Sequence, residues 1–113
     1  MHELALAEST LAIAEQAARR NGAERILAIR LEIGALSHVD PQALHFCFDA
    51  VTRGGLAESA RLEIVTTPGK AWCMPCAATV PLSALGQPCP ACGSYQLNVT
   101  QGDAMRVKDI EVA

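Results

Sequence analysis

The sequence lacks a long apolar run. No apolar run approaches the roughly 20 residues needed to span a membrane. The opening MHELALAEST carries two glutamates and no basic cluster of the kind that begins a secretory signal. We therefore expect a cytoplasmic protein without membrane insertion, in which cysteine thiols stay reduced.

Basic charge is also scarce. The chain of 113 residues has 9 Lys and Arg against 12 Asp and Glu, so its net charge is -3. Between residues 70 and 99, Lys70 is the single charged side chain. A nucleic-acid binder usually presents a basic face, and this chain offers none, so we expect no nucleic-acid partner.

Periodic apolar residues predict two helices. Residues 4–20 are typical of an amphipathic helix that ends at Asn21. Its expected buried face comprises Leu4, Leu11, Ala14 and Ala18. A second helix is predicted from the Asp40-Pro41 N-cap signal to about Arg53.

Three stretches predict strands: residues 25–34, 60–67 and 104–112. In the first, Leu27, Ile29, Leu31 and Ile33 alternate with Ala28 and charged residues, the period of a half-buried strand. In the last, the alternation shifts near Lys108 and Asp109, which indicates either a bulge or a strand whose two ends bury opposite faces.

This order of elements predicts an α+β fold, with a three-stranded mixed sheet covered by two helices and an inserted four-cysteine domain that is zinc-ribbon-like. We expect residues 1–69 and 100–113 to form the α/β domain and residues 70–99 to form the insert. A region of about 30 residues needs a metal or disulfides to hold its shape.

The insert contains the pairs CMPC and CPAC. Their spacing is Cys-x2-Cys-x12-Cys-x2-Cys, and four thiolates close a tetrahedral shell as structural zinc requires. We therefore predict a Zn²⁺ site formed by Cys73, Cys76, Cys89 and Cys92. Three alternatives are a rubredoxin-like iron site, disulfides in an oxidising compartment, and a thiol redox switch if the zinc is labile.

The terminus begins Met1-His2-Glu3, and position gives His2 a special chemistry. The Met1 amine, the deprotonated His2 amide and the imidazole can bind one metal through fused chelate rings. Such a nitrogen set suits the planar geometry of Ni²⁺ or Cu²⁺. Glu3 could add a carboxylate or favour the start of the helix. A lone histidine is weak evidence for a metal site, so the residues alone leave this assignment open.

Other polar residues have ordinary explanations. His38 is interpreted as a surface turn residue, with an auxiliary ligand role as the alternative. His45 is expected on a partly exposed helix face, and Cys47 is expected to be a buried, inert thiol on the apolar face. Asp40 is first of all an N-cap.

The whole pattern resembles the HypA/HybF nickel metallochaperone family of [NiFe]-hydrogenase maturation. The resemblance covers essentially the full length through MHEL, LEIGALSHVDPQALHFCFDAV, ARLEI, the two cysteine pairs and QGDAMRVKDIEV. The family often has Gly-x-Glu before the last strand, where this chain has Gly102-Asp103-Ala104, so a family contact made by that carboxylate is in doubt.

The resemblance implies a nickel carrier and not an enzyme. It implies Ni²⁺ bound by His2 with the Met1 amine, Glu3 at or beside the site, and structural Zn²⁺ on the four cysteines. It also implies two partners, a HypB-type GTPase and the [NiFe]-hydrogenase large subunit. We expect a monomer or a weak homodimer. The rival interpretation is a zinc-ribbon adaptor for proteins or nucleic acid that transfers no nickel.

Overall fold

The structure is a computed structural model that describes residues 2–113. It contains two compact units. The first comprises residues 2–32, 39–65 and 106–113, and the second comprises residues 33–38 and 66–105. Within the described part of the chain, no helix is both long and apolar enough to cross a membrane.

Two helices and six strands follow one another along the chain. The helices are α1 (Glu3–Arg20) and α2 (Pro41–Val51). The strands are β1 (Ile26–Gly34), β2 (Arg61–Thr67), β3 (Lys70–Cys73), β4 (Ala78–Pro81), β5 (Leu97–Gln101) and β6 (Met105–Val112). The two predicted helices and the three predicted long strands are therefore present, and the fold is α+β.

The long strands form one sheet in the order β2-β1-β6. The β1–β6 pair is antiparallel, because Gly34 N donates to Ala104 O beyond one end and Ala113 N donates to Arg25 O beyond the other. At the other edge, Ala35 N donates to Thr67 O where both strands end, as parallel β1 and β2 require. The sheet is mixed, as predicted, and α2 is the crossover between its parallel strands.

The buried stripe of α1 differs from the predicted one. Leu4 is 48% exposed and Leu11 is half-buried. The buried residues of the helix are Glu3, Ala7, Thr10, Ala14 and Ala18. Small side chains at these spacings let a neighbouring element approach closely, and α1 packs against α2. The prediction relied on large apolar side chains, and it is therefore wrong in the N-terminal half of α1, where the buried residues are Glu3, Ala7 and Thr10.

The phase of β1 also differs from the prediction at its start. Leu27 is 42% exposed, whereas Ile26 and Ala28 are fully buried. From Ile29 onward the expected alternation holds, with Leu31 buried. The first three residues therefore bury the opposite face from the one that the pattern of large side chains predicts.

Ion pairs connect β1 and β6. Arg106 pairs with Glu32 at 2.6 Å, and Asp109 pairs with Arg30 at 2.6 Å. Lys108 and Asp109 are both exposed, so the alternation of β6 shifts where the sequence pattern shifts. Met105, Val107 and Ile110 are half-buried.

The second unit contains a smaller sheet in the order β4-β3-β5, antiparallel on both sides of β3. Its buried side chains form two small clusters. One contains Leu36, Ala71 and Leu82, and the other contains Cys73, Val80 and Cys89. Two of the buried residues in the second cluster are cysteines. This sheet therefore has little apolar core beside the thiols.

Candidate metal centres

The two cysteine pairs meet at one point of the second unit. Cys73 ends β3, and Cys76 lies in the turn that leads to β4. Cys89 and Cys92 lie in the loop between β4 and β5. All four sulfur atoms lie within 4.8 Å of one another, so the structure brings together the residues that the spacing predicted.

The separations of the sulfurs fit a tetrahedral metal site. The Sγ atoms of Cys73 and Cys92 are 3.6 Å apart, and those of Cys76 and Cys89 are 3.9 Å apart. A tetrahedron with Zn–S bonds of about 2.3 Å has edges of about 3.8 Å. Disulfide bonds are about 2.0 Å long, so these thiols are not paired covalently. The cluster fits a structural zinc site.

Each cysteine pair is followed by a residue with left-handed backbone. Gly93 follows the second pair with φ 78°, and Ala77 follows the first with φ 49°. Gly93 N donates to Cys89 O, and Ala77 N donates to Met74 O. The first bond spans four residues and the second spans three. At these positive φ values glycine adopts the required conformation freely and alanine is strained.

Backbone N–H groups and neighbouring thiols set the acidity of the cysteines. The N–H group of Cys92 is the main cause that lowers the pKa of Cys89 to about 7, and Ala91 N, 3.4 Å from its sulfur, acts in the same direction. Hydrogen bonds with the Cys92 and Cys73 thiols raise the pKa of Cys76 to about 12. Cys89 therefore loses its proton more readily than Cys76 does. A metal that binds the four sulfurs must displace the protons that remain.

His2 stands exposed at the start of α1. It is the N-cap residue of that helix, and its carbonyl oxygen accepts from Leu6 N at 2.9 Å. The imidazole makes no capping hydrogen bond. It is therefore accessible to a metal ion from solvent. Met1, which sequence considerations place in the same nickel site, lies outside the described residues.

Glu3 is buried, with 7% of its surface exposed. Its Oε2 accepts a hydrogen bond from the backbone N–H of Asp40 at 3.2 Å. That bond, followed by the N–H group of Glu3 itself, holds the pKa of the Glu3 carboxyl below its usual range. Asp40 is the predicted N-cap of α2, and its Oδ1 accepts from Gln42 N and Ala43 N. No local sequence pattern indicates that Glu3 and Asp40 meet, since they are 37 residues apart.

The remaining candidate residues lie apart from the cysteine cluster. His38 is exposed in the loop before α2, with φ 55°, as a surface turn residue should be. His45 is exposed on α2, and Cys47 is half-buried there, less deeply than expected. Within residues 2–113, the four cysteines form the only group of three or more His, Cys, Asp or Glu side chains close enough to bind one metal ion.

Comparison with known proteins identifies one family whose members match this chain over nearly its full length. A family model described as HypA, hydrogenase/urease nickel incorporation, metallochaperone, matches residues 1–112. A protein of Rhodopseudomonas palustris (strain BisB5) named hydrogenase maturation factor HypA is 56% identical over 112 residues, covering 99% of both chains. A protein of the same name from Dechloromonas aromatica (strain RCB) is 53% identical, again over 99% of both chains.

Solved structures of the same family have a similar fold. The Ni metallochaperone HypA from Helicobacter pylori, known from a solution structure, aligns with a TM-score of 0.73 at 29% identity. The alignment covers 99% of this chain and 97% of that one. With the family model matching from the first residue through the last strand, the chain belongs to the HypA family.

Proposed function

We propose that the protein is a nickel metallochaperone that binds Ni²⁺ at its N-terminus and delivers it for the maturation of [NiFe]-hydrogenase. The observation that carries this proposal is the match of the HypA model to residues 1–112, which includes the terminal histidine and both cysteine pairs. The protein is a carrier and not an enzyme.

The proposed nickel ligands are the Met1 amine, the His2 amide nitrogen and the His2 imidazole. Amine and amide close a five-membered chelate ring, and amide and imidazole close a six-membered one. This nitrogen-rich set suits square-planar Ni²⁺. We propose that Glu3 completes or supports the site, as the third residue of the terminal motif.

A carrier must release its ion as well as bind it. The exposed position of His2 at a chain end supports this requirement, since the ligands of an acceptor can approach from solvent. They can displace the terminal nitrogens one at a time, so no core packing has to break.

The proposed zinc ligands are Cys73, Cys76, Cys89 and Cys92, with Zn²⁺ in a structural role. Four thiolates leave no open position for catalysis. We propose that residues 1–69 and 100–113 carry nickel, and that residues 70–99 form the zinc domain. The small apolar clusters around β3 support a structural need for the metal.

Maturation of a hydrogenase requires partner proteins. We propose that these are a GTPase of the HypB type and the hydrogenase large subunit. The GTPase would couple nucleotide hydrolysis to nickel handling, and the large subunit would be the final acceptor. Mixing nickel-loaded protein with each purified candidate and measuring nickel movement between them tests each partner separately.

The nickel proposal is tested by titrating untagged protein with Ni²⁺ in a calorimeter, beside the variants His2→Ala and His45→Ala. We expect about one tight site per chain in the wild type and in His45→Ala, and loss of that site in His2→Ala. Zinc content should stay unchanged in all three proteins. Equal nickel affinity in the two variants would overturn the assignment to the terminus.

A further inference from the structure

Glu3 is the single buried carboxylate among residues 2–113. It is the first residue of α1 and follows His2 directly. A buried carboxylate requires hydrogen-bond partners, because taking its charge out of water is costly. Its partner on another element is the backbone N–H of Asp40, at 3.2 Å from Oε2. The carboxylate therefore already has a partner before any metal binds.

This contact completes the N-terminal cap of α2, because the residues of α2 itself provide no acceptor for the Asp40 N–H. In a capping box, the N-cap side chain accepts from the backbone three residues later, and a Glu or Gln at that third position accepts from the N-cap N–H. Asp40 makes the first half, through Oδ1 to Gln42 N and Ala43 N. The third helical position is Ala43, whose methyl group cannot reach back.

Glu3 supplies the missing half from α1. Its Oε2 occupies the place that a Glu side chain at position 43 would take in a local box. A bond made in this way joins the first residue of α1 to the N-cap residue of α2. Because His2 is one peptide bond away, the same contact restricts where its backbone and imidazole can lie.

We propose that Glu3 is a positioning residue for nickel, which caps α2 from α1 and thereby fixes His2, and that its carboxylate is not itself a nickel ligand. This role rests on the proposed nickel function. A loose terminus must lose backbone freedom when it wraps around a metal, which opposes binding. An anchored Glu3 removes part of that cost before nickel arrives.

The test compares Glu3→Gln, Glu3→Ala and the double variant Glu3→Ala with Ala43→Gln, all in untagged, zinc-loaded protein. Glutamine at position 3 keeps an acceptor oxygen for Asp40 but is a poor nickel ligand. Glutamine at position 43 rebuilds the box within α2 and leaves α1 unattached. Glu8→Ala, which removes an exposed carboxylate from the same helix, is the matched control.

Two quantities are measured: hydrogen exchange of the Asp40 amide without nickel, and nickel affinity. We expect Glu3→Gln and Glu8→Ala to behave like the wild type in both. Glu3→Ala should expose the Asp40 amide and weaken nickel binding by about tenfold. The double variant should regain amide protection and thermal stability while nickel affinity stays low. If Glu3→Ala alone folds poorly, the double variant supplies the comparison.

Three results would overturn the proposal. Loss of nickel in Glu3→Gln as severe as in Glu3→Ala would make Glu3 a ligand. Full recovery of nickel affinity in the double variant would make its role one of stability only. Equal exchange rates of the Asp40 amide in the wild type and in Glu3→Ala would show that Glu3 does not protect that amide. Absence of nickel binding in the wild type would instead refute the proposed function, and the amide measurement would still report on the cap.

Discussion

At the scale of single residues, the residue that follows each cysteine pair is alanine in one turn and glycine in the other. Ala77 and Gly93 both have left-handed backbone after a cysteine pair, and alanine there carries a strain of roughly 1–2 kcal/mol. We predict that Ala77→Gly stabilises the metal-bound unit by about 1 kcal/mol and that Gly93→Ala destabilises it by a similar amount. Competition with a zinc chelator measures both.

No packing effect should obscure this comparison at Gly93, because a Cβ added there meets no atom within 4 Å. Zinc retention that is equal in Gly93→Ala and wild type would show that the turn relaxes at no cost. The matched control is Gly86→Ala, another open position with positive φ that lies outside both cysteine turns.

Side-chain roles were predictable from sequence where the signal is local. The Asp40-Pro41 pair predicts the N-cap of α2, and the observed bonds to Gln42 and Ala43 confirm it. The partner of Glu3 was not predictable, because a contact across 37 residues leaves no local pattern. The assignment of His2 to nickel came from the resemblance, and it stays a prediction.

At the scale of elements, the long helices and strands were predictable because each spans several periods of its pattern. The strands β3, β4 and β5 have only four or five residues, and the first two contain small residues and a proline. Such segments carry no periodic signal, so the sequence predicted an irregular arm where a sheet exists. Only the cysteine spacing indicated that the arm is ordered.

The elements of the second unit meet through backbone at Gly34. A Cβ added there would lie 2.0 Å from Gly102 O. We predict that Gly34→Ala lowers the free energy of unfolding by about 1–3 kcal/mol, because the backbone must move apart. Gly55→Ala is the control, since its nearest atoms are at ordinary contact distance. Urea unfolding followed by circular dichroism measures both, and equal midpoints would contradict the close approach.

The small sheet should depend on its metal. We predict that Cys89→Ser loses zinc and unfolds β3, β4 and β5, because Cys89 is one of three buried residues in its cluster. Cys47→Ser on α2 is the control and should keep one zinc per chain. Metal analysis and amide exchange of residues 70–101 measure the outcome. Full zinc retention in Cys89→Ser would exclude the four-thiolate site.

At the scale of the whole molecule, nickel loading should depend on pH. The amine, amide and imidazole nitrogens must all lose protons to bind, so protons compete with the metal. We predict that nickel affinity falls steadily between about pH 8 and about pH 5.5, with proton release visible by calorimetry in buffers of different ionisation enthalpy. Affinity that does not change over this range would exclude the nitrogen ligand set.

The central claim is that nickel binds at the native chain terminus. The most direct measurement is the optical spectrum of the nickel-loaded protein, recorded with its native N-terminus and with two glycines added before Met1. We predict the absorption of planar, diamagnetic Ni²⁺ in the native protein and its loss in the extended one, with zinc content near one per chain in both. The same planar spectrum from the extended protein would contradict the account.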